Sequence, residues 1–146
     1  MPSVVTRLRL VAALAVVVIL AGCGALPFAP EDSKACATDF AAFERDALYF
    51  GRAIPAGGQV SDAQWAAFLD TVVTPVFPKG LTVLDAAGQW RGASGGVVRE
   101  PSKLVVLLHP RSPEDDAAIA DIIGTYKQRF GQEAVLQERQ SVCVRF

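Results

Sequence analysis

Gly80-Leu81-Thr82-Val83-Leu84-Asp85, Gln89-Trp90-Arg91, Gly92-Ala93-Ser94-Gly95-Gly96 and Leu104-Val105-Val106-Leu107-Leu108 follow one another along the chain. They read as two strands hinged on a glycine-rich turn, because β-branched and aromatic runs bounded by glycine are hairpin signals. The second strand runs from Val97 to Leu108 and is apolar on both faces over Leu104 to Leu108. Pro101 inside it predicts a bulge or a late strand start, since proline has no N–H for the ladder.

Each side of this hairpin carries a helix. Upstream, Ser61 and Gln64 form a capping box with Val60 placed to staple against Trp65. Trp65, Phe68, Leu69 and Val72 then recur at helical spacing until Pro75 and Pro78 end the run. Downstream, Ser112-Pro113-Glu114-Asp115 places proline at the first helical position and acids in the first turn. Ile119, Ile122, Ile123, Tyr126 and Phe130 make the apolar stripe, and Gly131 is the C-cap. Further outward lie Ala47-Leu48-Tyr49-Phe50-Gly51-Arg52 as an opening strand, and Ala134 to Leu136 with Val142 to Phe146 as a closing one.

The order β-α-β-β-α-β predicts an α+β, ferredoxin-like fold: a four-stranded antiparallel sheet with two helices on one face. Its first and last strands pair antiparallel, which sets Asp46 beside the end of the chain at Phe146 and brings Cys36 within reach of Cys143. A Cys36–Cys143 disulfide is therefore expected. Alternation predicts Val142, Val144 and Phe146 toward the helices, with Cys143 and Arg145 on the helix-free face. That face needs a cover for its apolar third strand, which either the Phe40/Phe43 segment or a second copy would supply.

At the other end, Arg7 and Arg9 precede an uncharged apolar run closed by Leu20-Ala21-Gly22-Cys23. A basic start, an apolar core and a small-residue cleavage site make a secretory signal. A cysteine just beyond it reads as the site of diacylglycerol and palmitate attachment in a lipoprotein. The rival reading is an uncleaved span, but the strongly apolar stretch stops at Leu20, short of the ~20 residues a bilayer needs. Residues 1–22 are thus expected to be a signal peptide, 23–35 the lipidated cysteine and its tether, and 36–146 one domain. The expected location is the cell envelope, outside the cytoplasm, with the membrane contacted through the lipid on Cys23.

Composition narrows the function classes. The 146 residues carry 14 basic and 15 acidic side chains, and losing residues 1–22 removes two arginines and no acid. An acidic domain lacks the basic stripe that nucleic acid requires. Gly92-Ala93-Ser94-Gly95-Gly96 matches a nucleophile-elbow pattern, but that motif needs a strand-to-helix turn and here joins two strands. His109 is the sole histidine and is read as a surface or capping residue; it has no second histidine to complete a zinc site. Asp115 and Asp116 are accounted for by their helix N-terminus. No cofactor and no metal is expected. Tyr49, Arg52, Trp90, Arg91, Arg99 and Lys103, with Glu100, form the candidate ligand cluster, arginine forks and aromatic walls suiting a small anion or carboxylate. The competing reading is a solvated strand face.

Taken jointly, Leu48 to Arg52, Val73-Thr74-Pro75, Phe77-Pro78, Gly80 to Asp85, Gly88 to Arg91, Arg99 to Lys103 and the Cys143-Val144-Arg145-Phe146 ending are distinctive. From Cys36 to Phe146 the chain resembles a bacterial family of secreted or lipid-anchored proteins, catalogued as domain of unknown function thirty-five seventy-four. The resemblance implies domain limits and supplies no catalytic residue. Two functions stand: a non-catalytic, lipid-anchored binding or interaction module, or a small cofactor-independent dimeric enzyme with a sheet-face pocket.

Overall fold

A computed structural model describes residues 35–146; the signal segment, Cys23 and nearly all of the tether lie outside the described residues. The elements are β1 (Ala41–Gly51), α1 (Asp62–Phe68), β2 (Thr82–Arg91), β3 (Val97–His109), α2 (Pro113–Phe130) and β4 (Leu136–Val144). The sheet order is β2-β3-β1-β4, every neighbouring pair antiparallel, which is the ferredoxin-like arrangement.

Local signals account for the helices. The Ser61 hydroxyl accepts from the Gln64 N–H while the Gln64 side chain accepts from the Ser61 N–H, closing the capping box. After Phe68 the helix loosens into a π-turn over Leu69–Val73 before the prolines end it. α2 starts on Ser112 with Pro113 at its first position and stops at Gly131, whose φ of 64° is left-handed. Both helices pack on one face of the sheet. There Phe50 meets Trp65, Phe68 and Tyr126 at ring-centroid distances of 5.4, 5.7 and 4.7 Å, and Leu48, Val105 and Leu107 complete the floor.

Four sequence expectations change. β1 begins at Ala41 rather than Ala47, because Ala41-Ala42-Phe43 pair with Val142-Cys143-Val144. Asp46 lies opposite Arg139, not beside Phe146, so it is Ala41 that meets the end of β4. The side-chain parity of β4 is consequently reversed. Cys143, opposite Ala42, is on the helix side with Gln137, Arg139 and Ser141, whereas Val142 and Val144 lie on the helix-free side. The reason is the buried Asp46, which needs Arg139 against it. Stranding a buried charge costs about 3–5 kcal/mol, whereas Val142 and Val144 stay half-buried on the helix-free side and forfeit only part of the roughly 1.5–3 kcal/mol that full burial of each would bring. Finally, β3 runs unbroken through Pro101. β1 leaves the ladder at Gly51↔Ser102, so the missing proline N–H falls on the side that β1 has vacated, while Ala87 of β2 pairs with Pro101 on the other side and the Pro101 carbonyl still accepts from the Arg52 N–H.

The Cys36–Cys143 disulfide is present, with Cα atoms 5.6 Å apart, and closes a loop of 107 residues.

Candidate functional site

Three features of this frame carry chemistry. The first is a buried ionic cluster under the β1–β4 edge. Asp46 is fully buried, and its carboxylate accepts from Arg139 Nε at 3.0 and 3.1 Å, Arg139 Nη2 at 2.8 Å and Gln137 Nε2 at 2.6 Å. Arg139 also donates to Asp116 on α2 at 2.6 Å. His109, 3% exposed, sets Nε2 2.7 Å from Asp46 Oδ2 and Nδ1 2.8 Å from the Pro110 carbonyl, with Asp115 Oδ2 at 3.5 Å. Both ring nitrogens face acceptors, an arrangement that favours the doubly protonated ring.

Burial by itself would lower the His109 pKa, but the bonds to Asp46 and to the Pro110 carbonyl, with the charges of Asp46 and Asp115, outweigh it and hold the pKa above its usual value. Burial likewise opposes the Asp46 charge, and the bonds from Arg139, Gln137 and His109 overcome it, leaving that carboxyl below the usual range. A neighbouring set repeats the pattern, with Glu44 accepting from Ser141 at 3.0 Å and paired with Arg111 at 3.1 Å. A histidine with both nitrogens committed offers no lone pair for a general base.

The second feature is the helix-free sheet face. The register places Ala41, Phe43, Arg45, Ala47 and Tyr49 of β1 on it, with Leu104, Val106 and Leu108 of β3, Leu84 of β2 and Leu136 of β4. Leu84, Leu108 and Leu136 are 47%, 40% and 64% exposed. At its far end Glu100 is buried on this same face, accepting from Trp90 Nε1 at 2.8 Å and from the Ala53 N–H at 2.7 Å. Its carboxylate occupies the space above Gly51, where a Cβ would stand 2.5 Å from Oε1. Among the described residues, neither the Phe40/Phe43 segment nor any other cover closes the centre of the face: Phe43 is a strand residue within it, and Phe40 stacks under Arg145 at its rim.

The third feature is an open cleft of about 930 Å³ at the end of β3. Phe43, Val106, Leu108 and Phe146 form its sheet side, the Val76–Leu81 loop its opposite wall, and His109 and Asp115 its polar end.

The sequence-derived ligand cluster is not gathered by the fold. Tyr49 and Trp90 lie on the helix-free face, where the Tyr49 hydroxyl donates to Glu138 at 3.0 Å. Strand parity sends Arg91, Arg99 and Lys103 to the other face. Arg52, beyond the end of β1, is buried against the Val60 carbonyl and paired with Asp62 at 2.9 Å. Lys103 pairs with Asp85, and Arg91 donates to the Gly95 carbonyl at 3.0 Å. The expected surface histidine is also corrected: His109 is buried because Asp46 draws it inward. The sequence hint to this cluster was the charged run Glu44-Arg45-Asp46 ahead of the apolar stretch of β1, but only the strand register identifies its partners.

The family described as Protein of unknown function (DUF3574) matches residues 45–146. Among solved structures, the chain is similar to a phage SAM lyase in complex with S-methyl-5'-thioadenosine, at 13% identity over 71% of this chain and 90% of that chain, with a TM-score of 0.54. It is likewise similar to a phage SAM lyase in the apo state, at 14% identity over 72% of this chain and 90% of that chain, with a TM-score of 0.52. At such identities the likeness is one of fold. No curated protein matches the chain.

Proposed function

The chain belongs to the DUF3574 family of proteins of unknown function, and for this member we propose a non-catalytic binding module, tethered outside the cytoplasm through lipid on Cys23, that meets its partner with the helix-free sheet face. One observation carries the reading: Leu84, Leu108 and Leu136 stand exposed on a single sheet face around half-buried Leu104 and Val106. Contiguous apolar patches of this kind mark interaction sites in soluble domains, and each leucine brought from water to full burial contributes about 1.5–3 kcal/mol. The closed His109–Asp46 pair supports a binding role over a catalytic one.

The test places a photo-reactive amino acid at Leu104 in the full chain, in its own envelope, with Gln128 on the exposed side of α2 as the control position. An adduct at Leu104 and none at Gln128 is expected. A face that stays unlabelled while Gln128 reacts sinks the reading.

The cleft favours a second reading, a small cofactor-independent enzyme, because its volume suits a small organic molecule. S-Methyl-5'-thioadenosine, the ligand of the fold neighbour, is a direct probe. We expect millimolar amounts to leave the melting temperature unchanged; a saturable rise would move the assignment to the enzyme.

A further inference from the structure

Among the apolar side chains at the centre of the helix-free face stand two charged ones, and they identify its partner. Arg45 on β1 is half-buried on this face, and among the described residues no carboxylate lies within ion-pair distance of it. Glu138 on β4 shares the face, opposite Ala47, and accepts only the neutral donors Tyr49 at 3.0 Å and Gln140 at 3.2 Å. A cation without an anion and an anion without a cation, side by side on one apolar surface, are complementary to the same surface turned over.

From this we infer that the occupant of the helix-free face is a second copy of this chain, docked about a two-fold axis that sets Arg45 of each copy against Glu138 of the other. The inference rests on the docking role proposed above and names the partner.

The register fixes what else such an axis brings together. Arg45 faces Leu108 and Gln140 in the ladder, Ala47 faces Val106 and Glu138, and Tyr49 faces Leu104 and Leu136. With strands ~4.8 Å apart and two-residue steps of about 6.8 Å, a two-fold bisecting Arg45 and Glu138 crosses the sheet over Val106. It carries Leu136 of one copy onto Leu108 of the other. The same operation thus pairs both charges and buries two of the three exposed leucines, an agreement that the charges alone do not require. The contact is isologous and closes at two copies. A four-stranded face about 19 Å wide and roughly 30 Å long offers on the order of 600 Å² per copy, near the ~800 Å² per partner of a standard interface.

Co-expression of full-length chains bearing two different affinity tags, followed by extraction in mild detergent, tests this. Wild-type chains are expected to purify together. Arg45→Glu alone and Glu138→Arg alone should each reduce recovery of the second tag by about tenfold or more, because each sets like charges together twice. Co-expressing the Arg45→Glu chain with the Glu138→Arg chain should restore it, since both cross-copy pairs are then opposite in sign. Recovery in the mixed pair also shows that each variant folds. Wild-type chains that purify singly, single variants without effect, or a mixed pair that stays apart overturn the proposal. A Leu104 photo-adduct with a different protein also overturns it while leaving the face a docking surface; no adduct at all removes the docking reading itself.

Discussion

Asp46 is the residue on which the β1–β4 edge depends, and its environment makes stability depend on pH in a defined sense. His109 has a folded pKa above its ordinary value of 6.5, so its contribution is complete below about pH 6.5 and is lost as pH rises through the folded value. Asp46 is depressed below 3.8, so its contribution is complete above that value and is lost as pH falls through the lower folded one. The melting temperature should therefore be highest between these limits, and His109→Gln should flatten the alkaline decline; a melting series across pH with both proteins checks this. Asp46→Asn leaves the buried His109 without its main anion, while the part-exposed Arg139 keeps Asp116, and should cost about 1–3 kcal/mol in a denaturant titration. Gly51→Ala should cost about 1–3 kcal/mol by the same measurement, because its Cβ would overlap the Glu100 carboxylate. None of these three roles shows in composition or spacing, since each depends on a neighbour at least 47 residues away.

At the scale of elements, the helices and the central hairpin were legible because their information is local. A capping box, a proline at the first helical position and a left-handed glycine are each satisfied within a few residues. β4 was not legible in detail. Its Gln137-Glu138-Arg139-Gln140-Ser141 middle has no apolar alternation to set a register, so the partners on β1 choose it. The disulfide ties the segment ahead of β1 to the end of β4. In the chain-entropy model a loop of 107 residues supplies roughly 4–5 kcal/mol. Reduction should lower the melting temperature, and a Cys36→Ser/Cys143→Ser chain should match the reduced wild type; identical melting with and without reductant would show the staple to be inert.

For the whole molecule, the proposed tether and docking face imply a domain held at a membrane with one surface available. Cys23→Ala should abolish incorporation of labelled palmitate and move the protein from the membrane fraction to the soluble fraction. Labelling that persists in the variant would place the lipid elsewhere. The order of elements, the fold class and the Cys36–Cys143 pairing were all readable along the chain, because helix caps, turn residues and the β-α-β-β-α-β sequence leave few topologies open. Where each strand's side chains point was another matter. One residue of slip exchanges the two faces of a strand, and the slip was settled by buried charge: Asp46 could be sealed inside only if Arg139, Gln137 and His109 all reached it. That requirement turned Val142 and Val144 outward and left Arg45 and Glu138 together on an uncovered apolar face.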